Sequence, residues 1–222
     1  MTQHLITFGI YSVILFAGML FGEFLYRILK LNTEWTRKII HVSSGIVSLS
    51  YPSFIDVHWI VLAITINFTI ILYTSKKMGW FNSIFDVGRK SYGTLFFVWS
   101  TWLLFILSEY FGDNFMFFYL GFSPVVFADP AAALIGKPLP FKKFTIFGNT
   151  KSLGGSFSFF IITFVLTYFI LNYVGTEINI LLFSLIHAII LTVVEAISSK
   201  GTDNFTIPVA SIFIVFITSL IF

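Results

Sequence analysis

An all-α, polytopic transmembrane bundle of about eight spans (seven to nine) with short loops is the fold this sequence predicts, and three observations predict it. Hydrophobic residues make up 57% of the chain and charged residues only 10%, whereas soluble domains carry roughly 25% charged residues. The apolar residues fall in runs close to the roughly 20 residues that a helix needs to cross the hydrocarbon core. All 13 Lys and Arg lie in alternate gaps between those runs. The 30 Phe exceed what one water-excluded core would hide, but they suit a surface that faces lipid. The absence of cysteine excludes disulfides and thiolate metal sites.

The predicted spans cover residues 5–25, 39–55, 57–73, 92–107, 115–135, 153–173, 178–196 and 205–222. The first lacks a preceding basic residue and a small-residue cleavage site, so it is expected to stay as a span rather than act as a signal peptide. The third, at 57–73, is apolar on all sides instead of alternating, which argues against a β-barrel. The fifth contains Asp129-Pro130, and the missing backbone donor predicts a bent or broken helix there. No repeat or long linker divides residues 1–222, which form a single integral membrane domain.

The basic gaps hold Arg27, Lys30, Arg37 and Lys38, then Lys76, Lys77, Arg89 and Lys90, then Lys137, Lys142, Lys143 and Lys151, and last Lys200. The opposite gaps hold Asp56, Glu109, Asp113 and Glu177 without a cation. Such asymmetry places the basic loops in the cytoplasm and both termini outside. It also explains the net charge of +3 without a nucleic-acid partner. No organelle-targeting segment is visible, so the plasma (inner) membrane of a prokaryote is expected, with the active face cytoplasmic and membrane lipids as surroundings. Lys76, Lys77, Lys142 and Lys143 read as orientation signals. An oligomer is compatible with the sequence but has no support in it.

Ionisable groups inside a membrane are costly and usually serve a cavity or a partner. Asp129, Glu195 and Asp203 all sit near the basic end of their spans. Together they are candidate ligands for Mg²⁺ or another divalent cation, which prefers oxygen donors; each also has a plainer reading as a helix cap or a lysine partner. Glu23 and Arg27, four residues apart, read as an ion pair at the interface. Arg37 and His41, also four apart, open the second span beside Lys38, and a helix start attracts anions. The segment Gly148-Asn149-Thr150-Lys151-Ser152-Leu153-Gly154-Gly155-Ser156 opens the sixth span with a cation, hydroxyls and close-packing glycines. It is not a Walker loop, and its small residues serve equally as a helix-packing face. Gly88-Arg89-Lys90-Ser91 opens the fourth span with a similar, weaker pattern. Carboxylates and cationic helix starts at one face are equipment for holding a metal-bound polyphosphate next to lipid.

At these residues the chain resembles the dolichol kinase and phytol kinase family, the polyprenol kinases. The resemblance rests on Arg37-Lys38-x-x-His41-x-x-x-Gly45, on Arg89-Lys90-Ser91-Tyr92-Gly93-Thr94, and on Asp129-Pro130-Ala131-Ala132 through Gly136. It continues through Asn149-x-Lys151-Ser152-x-x-Gly155-Ser156, then Glu195-x-x-Ser198 and Asp203-Asn204-x-x-x-Pro208. Where the family commonly has Gly-Asp-Gly or Gly-Asp-Thr, this chain has Ala128-Asp129-Pro130. The resemblance implies a membrane kinase that moves the terminal phosphate of CTP, or a related nucleoside triphosphate, to a lipid alcohol of the phytol, geranylgeraniol, polyprenol or dolichol type. It implies that Asp129 holds Mg²⁺ or orients the alcohol, with Glu195 and Asp203 as further metal ligands or bases. Arg37, Lys38, Arg89 and Lys151 would then hold phosphates, with Asn149, Ser152 and Asn204 positioning them and His41 donating a hydrogen bond. The competing readings are a CDP-lipid synthase, which uses the same nucleotide on a phosphorylated lipid, and a transporter. A transporter is expected to gather its ionisable residues near mid-membrane, in matching halves.

Overall fold

The structure, a computed structural model, describes residues 1–86, 91–111, 115–136, 141–146, 149–176 and 178–221. The chain begins with α1 (Thr2–Arg27), α2 (Thr33–Leu49) and a single turn, α3 (Tyr51–Phe54). Next come α4 (His58–Met78), a second single turn, α5 (Asn82–Phe85), and α6 (Gly93–Tyr110). Helices α7 (Met116–Ser123) and α8 (Asp129–Gly136) are joined through a π-helical turn at Pro124–Ala128. A hairpin of β1 (Lys143–Ile146) and β2 (Asn149–Ser152) leads into α9 (Leu153–Val174), α10 (Ile180–Ile197) and α11 (Asp203–Ile221).

Each predicted span contains one of these helical segments. Among the described residues, six stretches are long and apolar enough to cross a membrane: α1, α4, α6, the continuous stretch Met116–Gly136, α9 and α10. Helix α11 is 19 residues long and apolar beyond its first turn, and α2 spends its first two turns on Glu34, Arg37 and Lys38. Both complete the bundle from its basic end. The chain is an integral membrane protein, and its surface agrees: Leu5, Val13, Phe169, Leu181, Ile189 and Phe213 are exposed, which lipid tolerates and water does not.

Helix ends follow local chemistry. Asn32 caps α2 by accepting from the Glu34 amide at 2.9 Å, and Asn179 caps α10 through the Leu182 amide at 3.1 Å. Gly79 and Gly175 end α4 and α9 in the left-handed conformation. In the core, Phe105, Phe118, Phe122 and Phe159 are fully buried. Deep in the bundle His187 bridges Thr167 Oγ1 and Ser211 Oγ, each at 2.9 Å, and thereby ties α9, α10 and α11 together. The Glu23–Arg27 pair forms at 2.5 Å. The second oxygen of Glu23 accepts from the Ser83 amide at 3.0 Å, which fastens α1 to α5.

Two local features depart from expectation. The fifth span does not break at Pro130. The irregularity lies one turn earlier, where the Asp129 amide bonds back to the Pro124 carbonyl in the five-residue spacing of a π turn. Pro130 then falls in the first turn of α8, where its missing N–H is tolerated. The second departure is the antiparallel hairpin, registered Lys143↔Ser152 through Ile146↔Asn149, in a stretch expected to be loop.

Helices α8 and α9 approach closely because glycine faces glycine. A Cβ on Gly155 would lie 2.8 Å from the Ala132 carbonyl oxygen and 3.4 Å from Gly136 Cα. Gly155→Val should therefore push these helices apart and lower stability by about 1–3 kcal/mol. Gly9→Ala, where nothing lies within 4 Å, should leave the melting temperature in detergent unchanged.

Candidate active site

The ends of several elements meet around a polar cavity of about 510 Å³. The start of α2 contributes Glu34, Arg37, Lys38 and His41, and Ser91 precedes α6. Helix α8 brings Asp129, Ala132, Ala133 and Gly136, and the hairpin brings Lys143, Thr150 and Lys151. Ser152, Gly155 and Ser156 come from the start of α9, while Glu195 ends α10. The link at 198–201 and the α11 residues Asp203 and Asn204 close the ring.

Two lysine–carboxylate pairs organise this cavity. Lys38 Nζ donates to Asp129 Oδ2 at 2.7 Å, between side chains only 17% and 13% exposed. Lys151 Nζ donates to Glu195 Oε1. Glu195 is 3% exposed, and its other oxygen, Oε2, has no hydrogen-bond partner among the described residues. The side-chain oxygen of Asn204 is likewise buried without a partner. Its amide nitrogen donates to the Gly93 carbonyl at 2.8 Å. Among the described residues, no three His, Asp or Glu side chains come close enough together to hold a metal by themselves.

Backbone irregularities position these groups. The Asp129 amide is bonded to Pro124, and Pro130 has no N–H, so the Val125 carbonyl lacks its helical donor. His41 Nε2 supplies one at 2.9 Å. That bond joins α2 to the π turn immediately before Asp129 and fixes the proton on Nε2, leaving Nδ1 as the other ring nitrogen. Arg37 donates to Ser91 Oγ at 2.8 Å. Ser152 Oγ caps α9 through the Gly155 amide at 3.1 Å and donates to the Gly136 carbonyl at 3.2 Å, so both the capping and the packing roles read from this segment hold. Gly201, at φ +85°, lets the α10–α11 link lie on Gly93, whose amide nitrogen is only 2.5 Å from where a Cβ would be.

Of the residues singled out from sequence, Arg37, Lys38, His41, Asp129, Lys151, Ser152, Glu195, Asp203 and Asn204 all line this one cavity. Asn149 opens β2, and Arg89 lies outside the described residues. Sequence reasoning missed Glu34, Ser199 and Lys200. Lys143, read as an orientation signal, also lines the cavity, because the hairpin pairs it with Ser152. The alternation of Phe144, Thr145 and Ile146 was the available signal for that strand.

Over 213 residues the chain is 30% identical to the phytol kinase of a Synechocystis species, an alignment covering 93% of this chain and 88% of the relative. The chain belongs to the phytol/dolichol kinase family. It is with that family a lipid kinase. No family model matches the chain, and no solved structure does. Each of the five family-like segments, from Arg37-Lys38-x-x-His41 to Asp203-Asn204, contributes to the same cavity wall.

Proposed function

We propose that the chain transfers the terminal phosphate of CTP to the hydroxyl of an isoprenoid alcohol at the cytoplasmic face of a prokaryotic plasma membrane. The observation that carries this reading is the convergence of five separated segments on one cavity at the basic end of a membrane bundle. The alcohol oxygen bonds to the terminal phosphorus as the bond from that phosphorus to its bridging oxygen breaks. A nucleoside diphosphate leaves, and the hydroxyl proton passes to a carboxylate. In this reading Asp129 orients the hydroxyl and takes its proton, with Glu195 or Asp203 as the other candidate bases. Lys151, Lys38 and Arg37 draw the phosphates in, and Ser152, Asn149, Asn204 and Arg89 help to position them. Such transfer depends chiefly on positioning and charge neutralisation.

The donor set fits a divalent cation shared with phosphate better than a cage built by protein alone. Mg²⁺ commonly uses one or two carboxylates together with substrate phosphates and water. Among the described residues Glu195 Oε2 and Asn204 Oδ1 are buried oxygens without partners, and one or two of the carboxylates Asp129, Glu195 and Asp203 would hold the ion together with the phosphates. When bound, the ion would neutralise charge on the phosphates.

The test is purified protein in lipid with Mg²⁺, CTP and phytol, geranylgeraniol or a polyprenol. Label in the terminal phosphate should enter lipid, and label in the α-phosphate should not. Lipid labelled from the α-phosphate would indicate a CDP-lipid synthase. Solute flux into proteoliposomes without phosphorylation would indicate a transporter. UTP and ATP in place of CTP would define the donor.

A further inference from the structure

A second, narrow slot opens off the polar cavity and runs into the bundle. It shares Arg37, His41 and Asn204 with that cavity. Along α2 it follows one helical face through Arg37, Ile40, His41, Ser44 and Ser48. The twelve residues from Arg37 to Ser48 span about 16 Å of helix, roughly half the 30 Å hydrocarbon thickness. Beyond Ser48 the slot reaches Tyr51, which packs edge-on against Tyr11 with ring centroids 4.8 Å apart.

The wall chemistry indicates an apolar guest. Met19 of α1, Phe68 and Leu72 of α4, and Phe97 of α6 face α2 across the slot. Two of the hydroxyls along it are already committed to backbone carbonyls, Ser44 to Ile40 at 2.6 Å and Thr101 to Phe97 at 2.9 Å. They place no demand on a hydrocarbon. At about 90 Å³ the slot is far smaller than the 510 Å³ cavity beside it, room for part of one chain and not for a two-tailed lipid. Met19, with its flexible thioether, allows it to widen.

We infer that this slot between α1, α2, α4 and α6 receives the hydrocarbon tail of the acceptor, so that a single-chain isoprenoid alcohol stands inside the protein with its hydroxyl at His41 and Arg37. The inference rests on the lipid-alcohol kinase reading and adds where the chain lies and why its length matters. Ser48→Leu and, on the facing wall, Thr101→Leu shorten the slot from its far end, away from the phosphate site. Both should reduce kcat/KM for geranylgeraniol relative to geraniol by roughly tenfold or more. An equal loss for both alcohols, or no change for either, would overturn the inference.

A second measurement uses the unmodified chain. A geranylgeraniol analogue with a photoreactive group near its tail should label α1, α2, α4 or α6 around Met19, Ser48 and Leu72. Label confined to the lipid-facing sides of α9 and α10 would overturn the inference even if kinase activity were present. Label in the slot of a protein that phosphorylates no prenol would uphold the binding site and reject the kinase reading instead.

Discussion

Asp129→Asn is expected to lower phosphoryl transfer by roughly 10²- to 10³-fold, the scale on which a group acting at developing charge is felt. The substitution preserves shape but removes the charge that pairs with Lys38. Breaking a buried pair on one side leaves the other charge uncompensated, at a cost of about 3–5 kcal/mol. Stability and chemistry must therefore be read separately. The double variant Lys38→Met, Asp129→Asn should regain most of the lost thermal stability in detergent while its turnover stays low. If Asp129→Asn alone kept full turnover, the proton-accepting role would belong elsewhere in the cavity, and family membership would be unaffected.

Lys151→Met is the second large effect. Lys151 neutralises Glu195, which is almost wholly buried and has one oxygen without a partner. In the proposed reaction the same ammonium attracts phosphate. Its loss should raise the KM for nucleotide about 10- to 100-fold and lower kcat as well, because phosphate charge grows less tolerable as the bond breaks. Adding Glu195→Gln should recover stability without recovering KM. Lys151→Arg should rescue poorly, since a planar fork does not replace a compact charge held at one point by the hairpin. A KM for nucleotide unchanged in Lys151→Met would separate this lysine from phosphate binding and leave it the partner of Glu195.

The spans were legible because a membrane helix leaves a long apolar run that needs no knowledge of its neighbours. All eight predicted runs contain a helical segment. A helix start was legible where one side chain decides it, as at Ser152, but α2 begins at Thr33, six residues ahead of the predicted run, because Asn32 caps it. The cavity residues were legible as charged or glycine-flanked positions at one end. Their pairing was not: Lys38 and Asp129 are 91 residues apart, and no local pattern states which carboxylate each lysine will meet. The hairpin was hidden because two four-residue strands carry too short an alternation to stand out from a polar loop. The π turn was signalled only obliquely, by two prolines six residues apart, and the visible one at Pro130 drew attention to the wrong turn.

That turn has a consequence for how the fifth span tolerates change. A π turn holds one residue more than the α-helical path requires, so the helix after it is out of phase with the helix before it. Removing one residue between Pro124 and Ala128 would return the Asp129 amide to the four-residue spacing and leave the direction of the helix beyond nearly as it is, whereas one residue lost from the regular turns of α7 would rotate everything beyond by about 100°. That second loss would swing Asp129 away from Lys38, while after the first the Val125 carbonyl would face Pro130 at the four-residue spacing and still have no helical donor. The segment would still look like an ordinary membrane helix by length and hydropathy. An insertion or deletion in the regular turns before the π turn is thus a change of aim rather than of fold, invisible to any measure of apolar content and decisive for where the carboxylate points.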